Sequence, residues 1–161
     1  MRKQTLIFVL ITMVTLKNGW SLPLSGHFES VSIKQGLSNT TVNAITQDAQ
    51  GYLWIGTDSG LNRYDGYQNQ TFQYDEQEPQ SLSGGRVRSL LFHHQNNQLW
   101  IGLSNGDLNA LNTNTSTITR YSFQQSGQKA LTILAISQIN QHLLALGSTV
   151  GLRIFDITTG K

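Results

Sequence analysis

The chain has 161 residues, of which 38% are apolar and 12% charged, and it contains no cysteine. This composition excludes a disordered chain and a disulfide-stapled module, and it suits a globular fold held by packing. Eleven cations face nine acids, but three of the cations flank the first apolar stretch: Arg2, Lys3 and Lys17. Without them 11 − 3 = 8 cations stand against 9 acids, which excludes a nucleic-acid binder that relies on a basic face.

The first predicted element is a secretory signal peptide, residues 1–21. Cations precede a mostly apolar run from Thr5 to Leu16, and the small residues Gly19 and Ser21 precede the expected cleavage site. A helix over that run would reach about 18 Å, short of the roughly 30 Å hydrocarbon layer of a bilayer. An uncleaved membrane anchor is the alternative. We expect the mature chain to be exported.

A leading segment, residues 22–41, carries one predicted strand at His27–Val31. Phe28 precedes Val42 about as far as Phe72 precedes Val87, so this strand resembles the last strand of the repeating unit that follows. We therefore expect it to complete a distant unit and to close a ring.

Three repeating units follow, at residues 42–86, 87–132 and 133–161, and the third is incomplete. The first unit alternates apolar runs with turn residues, including Asp48 and the dipeptide Asp65-Gly66. Its four predicted strands are Val42–Gln47, Leu53–Gly56, Leu61–Tyr64 and Gln70–Tyr74. A period in the mid-forties with four short strands predicts an all-β chain that forms three blades of an incomplete β-propeller, expected to have seven blades when whole. A self-contained ring of three blades is the alternative.

Large aromatic residues and glycines recur at the same places in the units. We expect the aromatics to pack against neighbouring blades and the glycines to allow strands to approach each other closely. The predicted structural residues are Trp54, Gly56, Gly60, Tyr64, Trp100, Gly102, Gly106, Gly147, Gly151 and Phe155.

The run LWIGTDSGLNRYDG, preceded by GLSNTTVNAITQDAQG, resembles the two-component regulator propeller repeat. The second unit, QLWIGLSNGDLNAL, is similar, while the third has Ala145 in place of Trp. The resemblance implies the periplasmic sensor region of a histidine kinase or diguanylate cyclase that is anchored in the inner membrane. It also implies the remaining blades as partners, a homodimer at full length, and a cytoplasmic output domain beyond residue 161. On this reading the chain is an N-terminal fragment or a truncated product.

No catalytic constellation is evident in the sequence, and we predict neither enzyme activity, nor a metal site, nor a cofactor. His93 and His94 are predicted to lie at a solvent-facing hairpin tip, and Asp48, Asp65 and Asp156 to serve in turns. Two alternatives remain: an exported propeller enzyme such as a lyase or glycosidase, and a scaffold propeller without a signalling role.

A ligand site is predicted from topology alone. Propellers present ligands on the face that carries the turns between second and third strands and the loops between blades. The polar residues expected there are Asp58, Arg86, Arg88 and Asn105, and the predicted ligand is a small molecule or a carbohydrate-like compound.

Overall fold

The computed structural model describes residues 30–123 and 131–161, and within them the chain is all-β, which confirms the predicted fold class. The predicted signal peptide and most of the predicted strand His27–Val31 lie outside the described residues. A single turn of 3₁₀-helix, Ile33–Gln35, precedes the strands and is capped by Ser32. The strands are β1 (Val42–Gln47), β2 (Leu53–Thr57), β3 (Gly60–Tyr64), β4 (Asn69–Phe72), β5 (Val87–His93), β6 (Gln98–Leu103), β7 (Leu108–Asn112), β8 (Ile118–Tyr121), β9 (Ile133–Gln138), β10 (Leu143–Ser148) and β11 (Gly151–Asp156).

These strands form three antiparallel sheets, each a simple meander of consecutive strands. The first blade is β1 to β4, the second is β5 to β8, and the third is β9 to β11. Successive hairpins explain this topology, because a short turn leaves the next strand beside the last one. The fourth strand ends at Phe72, two residues earlier than predicted, and Tyr74 forms an isolated bridge to Leu82 instead.

Each of the first two blades packs against the next blade at a glycine in its second strand. A Cβ placed on Gly56 would lie 2.5 Å from Cγ1 of Val87 in the next blade, and one on Gly102 would lie 2.7 Å from Cγ2 of Ile133. Gly147 has only Ala135 of its own blade nearby, at 3.4 Å. The glycine is therefore required wherever a following blade approaches.

Two apolar clusters fill the interfaces between blades. Trp54 is 1% exposed and belongs to the cluster between the first and second blades, where its ring lies 5.6 Å from that of Phe72. Trp100 belongs to the cluster between the second and third blades, with Phe155 at 5.6 Å. Tyr64 differs from the expectation: it is half-buried, it lies outside both clusters, and its hydroxyl donates to the Gly66 carbonyl.

One face of the third blade carries apolar residues at the positions that are buried in the other two blades. Leu61 and Leu108 are fully buried, whereas Leu152 at the equivalent position is 71% exposed. Ile154 beside it is 51% exposed. Among the described residues, this face has no blade against it.

One turn motif recurs after the third strand of every blade. The Oδ1 atom of Asp65 accepts the backbone N–H groups of Tyr67 and Gln68, and Asn112 and Asp156 make the same pair of bonds in their own blades. The bonds from Gln68 and Tyr67 lower the pKa of Asp65, and the bond from Thr158 lowers that of Asp156. These carboxylates are occupied in forming the turns.

Candidate functional site

Polar side chains gather where the first and second blades meet, at the end of the sheets that carries the β2–β3 turn. The Asp58 carboxylate in that turn accepts a hydrogen bond from Asn43 Nδ2 at 2.9 Å and pairs with Arg86 Nε at 3.2 Å. Asn43 Nδ2 also donates to the Val87 carbonyl at 2.9 Å, and Asn43 Oδ1 accepts from Arg88 Nη1 at 3.3 Å. We call Asn43, Asp58, Arg86 and Arg88 the polar ridge.

A bulge in the first strand of each blade places two of these residues. The pairing of β1 with β2 shifts between Val42 and Ala44, and that of β5 with β6 shifts between Val87 and Ser89. The skipped residues are Asn43 and Arg88. A bulge leaves its extra residue outside the ladder and turns its side chain away from the regular alternation. Asn43 was missed by sequence reasoning, because a bulge has no signature in a single strand.

Asn105, the fourth predicted ligand residue, positions a loop. Its Nδ2 donates to the Ser83 carbonyl and to Asp107 Oδ2, both at 2.9 Å. A Cβ on Gly84 would lie 2.9 Å from the same nitrogen, so the side chain is packed closely on the segment that leads to Arg86. Its role as a ligand contact stays a prediction.

Buried serine–asparagine pairs fix the segment before each of the first two blades. The Ser38 backbone N–H donates to Asn62 Oδ1 at 2.9 Å, and Asn62 Nδ2 donates back to Ser38 Oγ at 2.8 Å. Ser83 and Asn109 repeat this exchange with the same two distances. Both asparagines are fully buried. The signal was present in the sequence as a Leu-Ser before each of these two blades and a Leu-Asn in the third strand of each.

The polar ridge offers hydrogen-bonding groups to a ligand and adds little to the stability of the fold. Arg86 has a side chain 54% exposed and Asp58 one that is 27% exposed, and an exposed ion pair is worth about 0–1 kcal/mol. The guanidinium groups of Arg86 and Arg88 offer several N–H donors, and Asp58 offers a carboxylate oxygen as an acceptor. This arrangement suits a ligand that carries both hydroxyl and anionic groups.

The prediction that His93 lies at a solvent-facing tip is wrong, although His94 beside it is exposed. His93 is 1% exposed, with Nδ1 at 2.9 Å from Asn96 Oδ1 and Nε2 at 3.1 Å from Gln138 Nε2 of the third blade. Its ring is buried because the next blade covers it, which the sequence of one hairpin does not reveal.

Asp48 holds the position in the first blade that His93 holds in the second. Its Oδ2 accepts the Trp54 indole N–H at 2.8 Å, and its Oδ1 accepts the backbone N–H groups of Gln50 and Tyr52. In the second blade the Trp100 indole N–H has no hydrogen-bond partner within the described part of the chain. The tryptophan and its acidic partner are therefore a structural pair that only the first blade keeps complete.

The meandering antiparallel sheets and the glycines where they meet define the chain as a segment of β-propeller. Residues 36–59 match the sequence profile of the family described as two component regulator propeller. This segment therefore resembles one repeat of that family, as the sequence predicted.

Similar proteins support the assignment. Histidine kinase P4 of Formosa agariphila is 38% identical over 56 residues, which cover 35% of this chain and 4% of that protein. The extracellular domain of a putative hybrid two component system from B. thetaiotaomicron has a TM-score of 0.73 at 32% identity, covering 83% of this chain and 19% of that domain. A putative one component system from the same organism has a TM-score of 0.66 at 20% identity, covering 83% of this chain and 17% of that domain, and shows the fold alone.

The chain thus spans less than a fifth of the length of these solved domains and a smaller share of the kinase. In residues 30–123 and 131–161 no helix has the length and apolar character needed to cross a bilayer.

Proposed function

We propose that this chain is part of the exported sensor region of a two-component signalling receptor, and that it binds a small polar or carbohydrate-like ligand at the polar ridge. The observation that carries the proposal is the similarity to the extracellular domain of a putative hybrid two component system, at 32% identity over 83% of this chain. The signal-peptide pattern of residues 1–21 supports export to the periplasm.

The ridge is a reasonable place for a sensor to act because it joins two blades. Asp58 belongs to the first blade and Arg86 and Arg88 belong to the second or its leading loop. A ligand that bonds to both sides favours one relative placement of the blades, and a receptor responds only as far as its ligand binds one state better than another. The ligand would thereby shift the receptor toward its signalling state.

The partners in this proposal are further blades of the same receptor, packed on the face that exposes Leu152 and Ile154. Burial of the equivalent Leu61 and Leu108 by a following blade is the precedent within this chain. At full length the receptor would be anchored in the inner membrane, act as a dimer, and signal through a histidine kinase or diguanylate cyclase domain.

Export is tested with alkaline phosphatase, which is active only outside the cytoplasm, fused after Lys161. We expect activity in cells that carry residues 1–161, and none when residues 1–21 are removed. Equal activity from both fusions would contradict export.

Ligand binding is tested by thermal shift of the chain with a panel of mono- and oligosaccharides. We expect at least one compound to raise the melting temperature, and the increase to vanish in Arg86→Ala, Arg88→Ala and the double variant. Arg153→Ala is the control, since Arg153 is a strand arginine of the third blade. A stabilising compound that the ridge variants bind equally well would remove the ridge from the proposal.

A further inference from the structure

Arg63 occupies a position of the repeat at which the other two blades have apolar residues. The third strand of the first blade carries Arg63, which pairs with Trp54 on one side and with Gln70 on the other. The second blade has Ala110 at this place, paired with Trp100, and the third blade has Ile154. Ala110 is 2% exposed. An apolar residue therefore satisfies the fold here, and the arginine has no structural counterpart.

Aromatic rings hold the Arg63 guanidinium in place. Its Cζ lies 4.8 Å from the ring centre of Tyr52 and 5.9 Å from that of Trp54. Cation–π attraction of this kind favours the guanidinium over the ring faces. Within the described residues the guanidinium makes no hydrogen bond, so its N–H donors are open to a ligand.

A cleft of about 300 Å³ adjoins this arginine, between β3 and β4 and their hairpin turn. Arg63, Asp65, Gln68, Asn69 and Gln70 line it. That volume is at the lower end of the range for small-molecule sites. The exposed amide side chains of Gln68 and Gln70 make no hydrogen bond within residues 30–123 and 131–161, and an amide both donates to and accepts from a hydroxyl.

We propose that this cleft is a second binding site, on the first blade, for the carboxylate form of a sugar acid. The carboxylate pairs with the Arg63 guanidinium, which offers parallel N–H donors matched to two carboxylate oxygens. The ligand hydroxyls bond to the amides of Gln68 and Gln70. Asp65 is occupied by its turn, but its negative charge opposes a simple anion. The hydroxyl contacts are therefore needed as well, and selectivity follows from the combination.

The proposal does not depend on the polar ridge, which is formed by the β2–β3 turn, the loop before β5 and the bulges in β1 and β5. A failure of either site leaves the other untouched, because the variants that test them are different. The sensor role and this cleft are thus separable by experiment.

The test is a titration of the chain followed by NMR or calorimetry, with three probes: D-glucuronate, D-glucose and acetate. Glucose has the hydroxyls without the carboxylate, and acetate has the carboxylate without the hydroxyls. We expect saturable binding of glucuronate with a dissociation constant of about 1 mM, and at least about tenfold weaker binding of the other two. Arg63→Ala should weaken glucuronate binding at least about tenfold, while Arg153→Ala should not change it.

Each other result would overturn the proposal. Absence of saturable glucuronate binding removes the site. Equal binding of glucose shows that Arg63 does not read the carboxylate, and equal binding of acetate shows an unselective anion contact. Unchanged binding in Arg63→Ala places the ligand elsewhere. Arg63→Lys, which keeps the charge and loses the paired donors, should bind glucuronate more weakly than the native chain but more tightly than Arg63→Ala.

Discussion

The repeated glycine of the middle strand offers a comparison in which the same substitution meets three different surroundings. Gly56, Gly102 and Gly147 occupy equivalent places, and their backbones have ordinary negative φ, so the backbone accepts alanine in all three. Gly56→Ala would bring Cβ to 2.5 Å from Val87 Cγ1 of the next blade. Gly102→Ala would bring it to 2.7 Å from Ile133 Cγ2 of the next blade and also against Ser89 Oγ of its own blade. The nearest atom to a Cβ at Gly147 is 3.4 Å away.

The expected magnitudes follow from two opposing effects. Alanine in place of glycine within a strand stabilises by about 0.5–1 kcal/mol through the lost freedom of the unfolded chain. Overpacking a close interface costs about 1–3 kcal/mol. Gly56→Ala and Gly102→Ala should therefore each lower the free energy of unfolding by about 1–2 kcal/mol, and Gly147→Ala should leave it unchanged or raise it by up to about 1 kcal/mol.

Urea unfolding monitored by tryptophan fluorescence measures both variants. Trp100 lies in the interface that Gly102→Ala would disturb, and Trp54 lies in the other interface, where Gly56→Ala provides a second test. Equal losses of stability in Gly56→Ala and Gly147→Ala would refute the reasoning, because the atoms near a Cβ on Gly56 all belong to the next blade and the effect would then belong to the strand instead.

Three further predictions concern single side chains. Asp48→Ala should destabilise the chain by about 2–4 kcal/mol in urea unfolding, since it leaves the Trp54 indole N–H buried without an acceptor, and Asp48→Asn should cost less; similar losses in both variants would argue against the hydrogen bond as the cause. Asp65 and Asp156 have lowered pKa values, so their contribution to the free energy of unfolding is complete above their ordinary pKa near 3.8 and is lost as the pH falls below it. The double variant Asp65→Asn, Asp156→Asn should therefore lose less stability than the native chain between about pH 4 and pH 2. An unchanged acid profile would show that other carboxylates govern it. Leu152→Lys should reduce self-association of the chain in sedimentation velocity, because this side chain is 71% exposed on an apolar face; the same distribution of species before and after substitution would show that the face is not the contact.

The residues of the ridge were foreseen in part. Asp58, Arg86 and Arg88 were chosen by topology, and the structure brings them together through Asn43, which was not chosen. Asn105 was chosen on the same grounds; its side chain holds the neighbouring loop, and its contact with a ligand stays a prediction. Topology predicts which loops share a face of the propeller. The hydrogen-bond partner of each side chain depends instead on strand bulges and on residues of the neighbouring blade, which lie one repeat, about 45 residues, away in the sequence.

The sequence by itself determined the strands, the turns and the repeat. Hairpins are local, so alternating apolar residues and turn-forming Asp and Gly specify each sheet, and the spacing of Gly56 and Gly102 marks where sheets meet. Only the tertiary structure decided what those surfaces face. It buried His93 against Gln138, left Leu152 exposed where Leu61 is covered, and left Arg63 without a hydrogen-bond partner among the described residues beside a cleft. The physical reason is that burial depends on the approach of a distant segment, and no pattern within one blade records that approach.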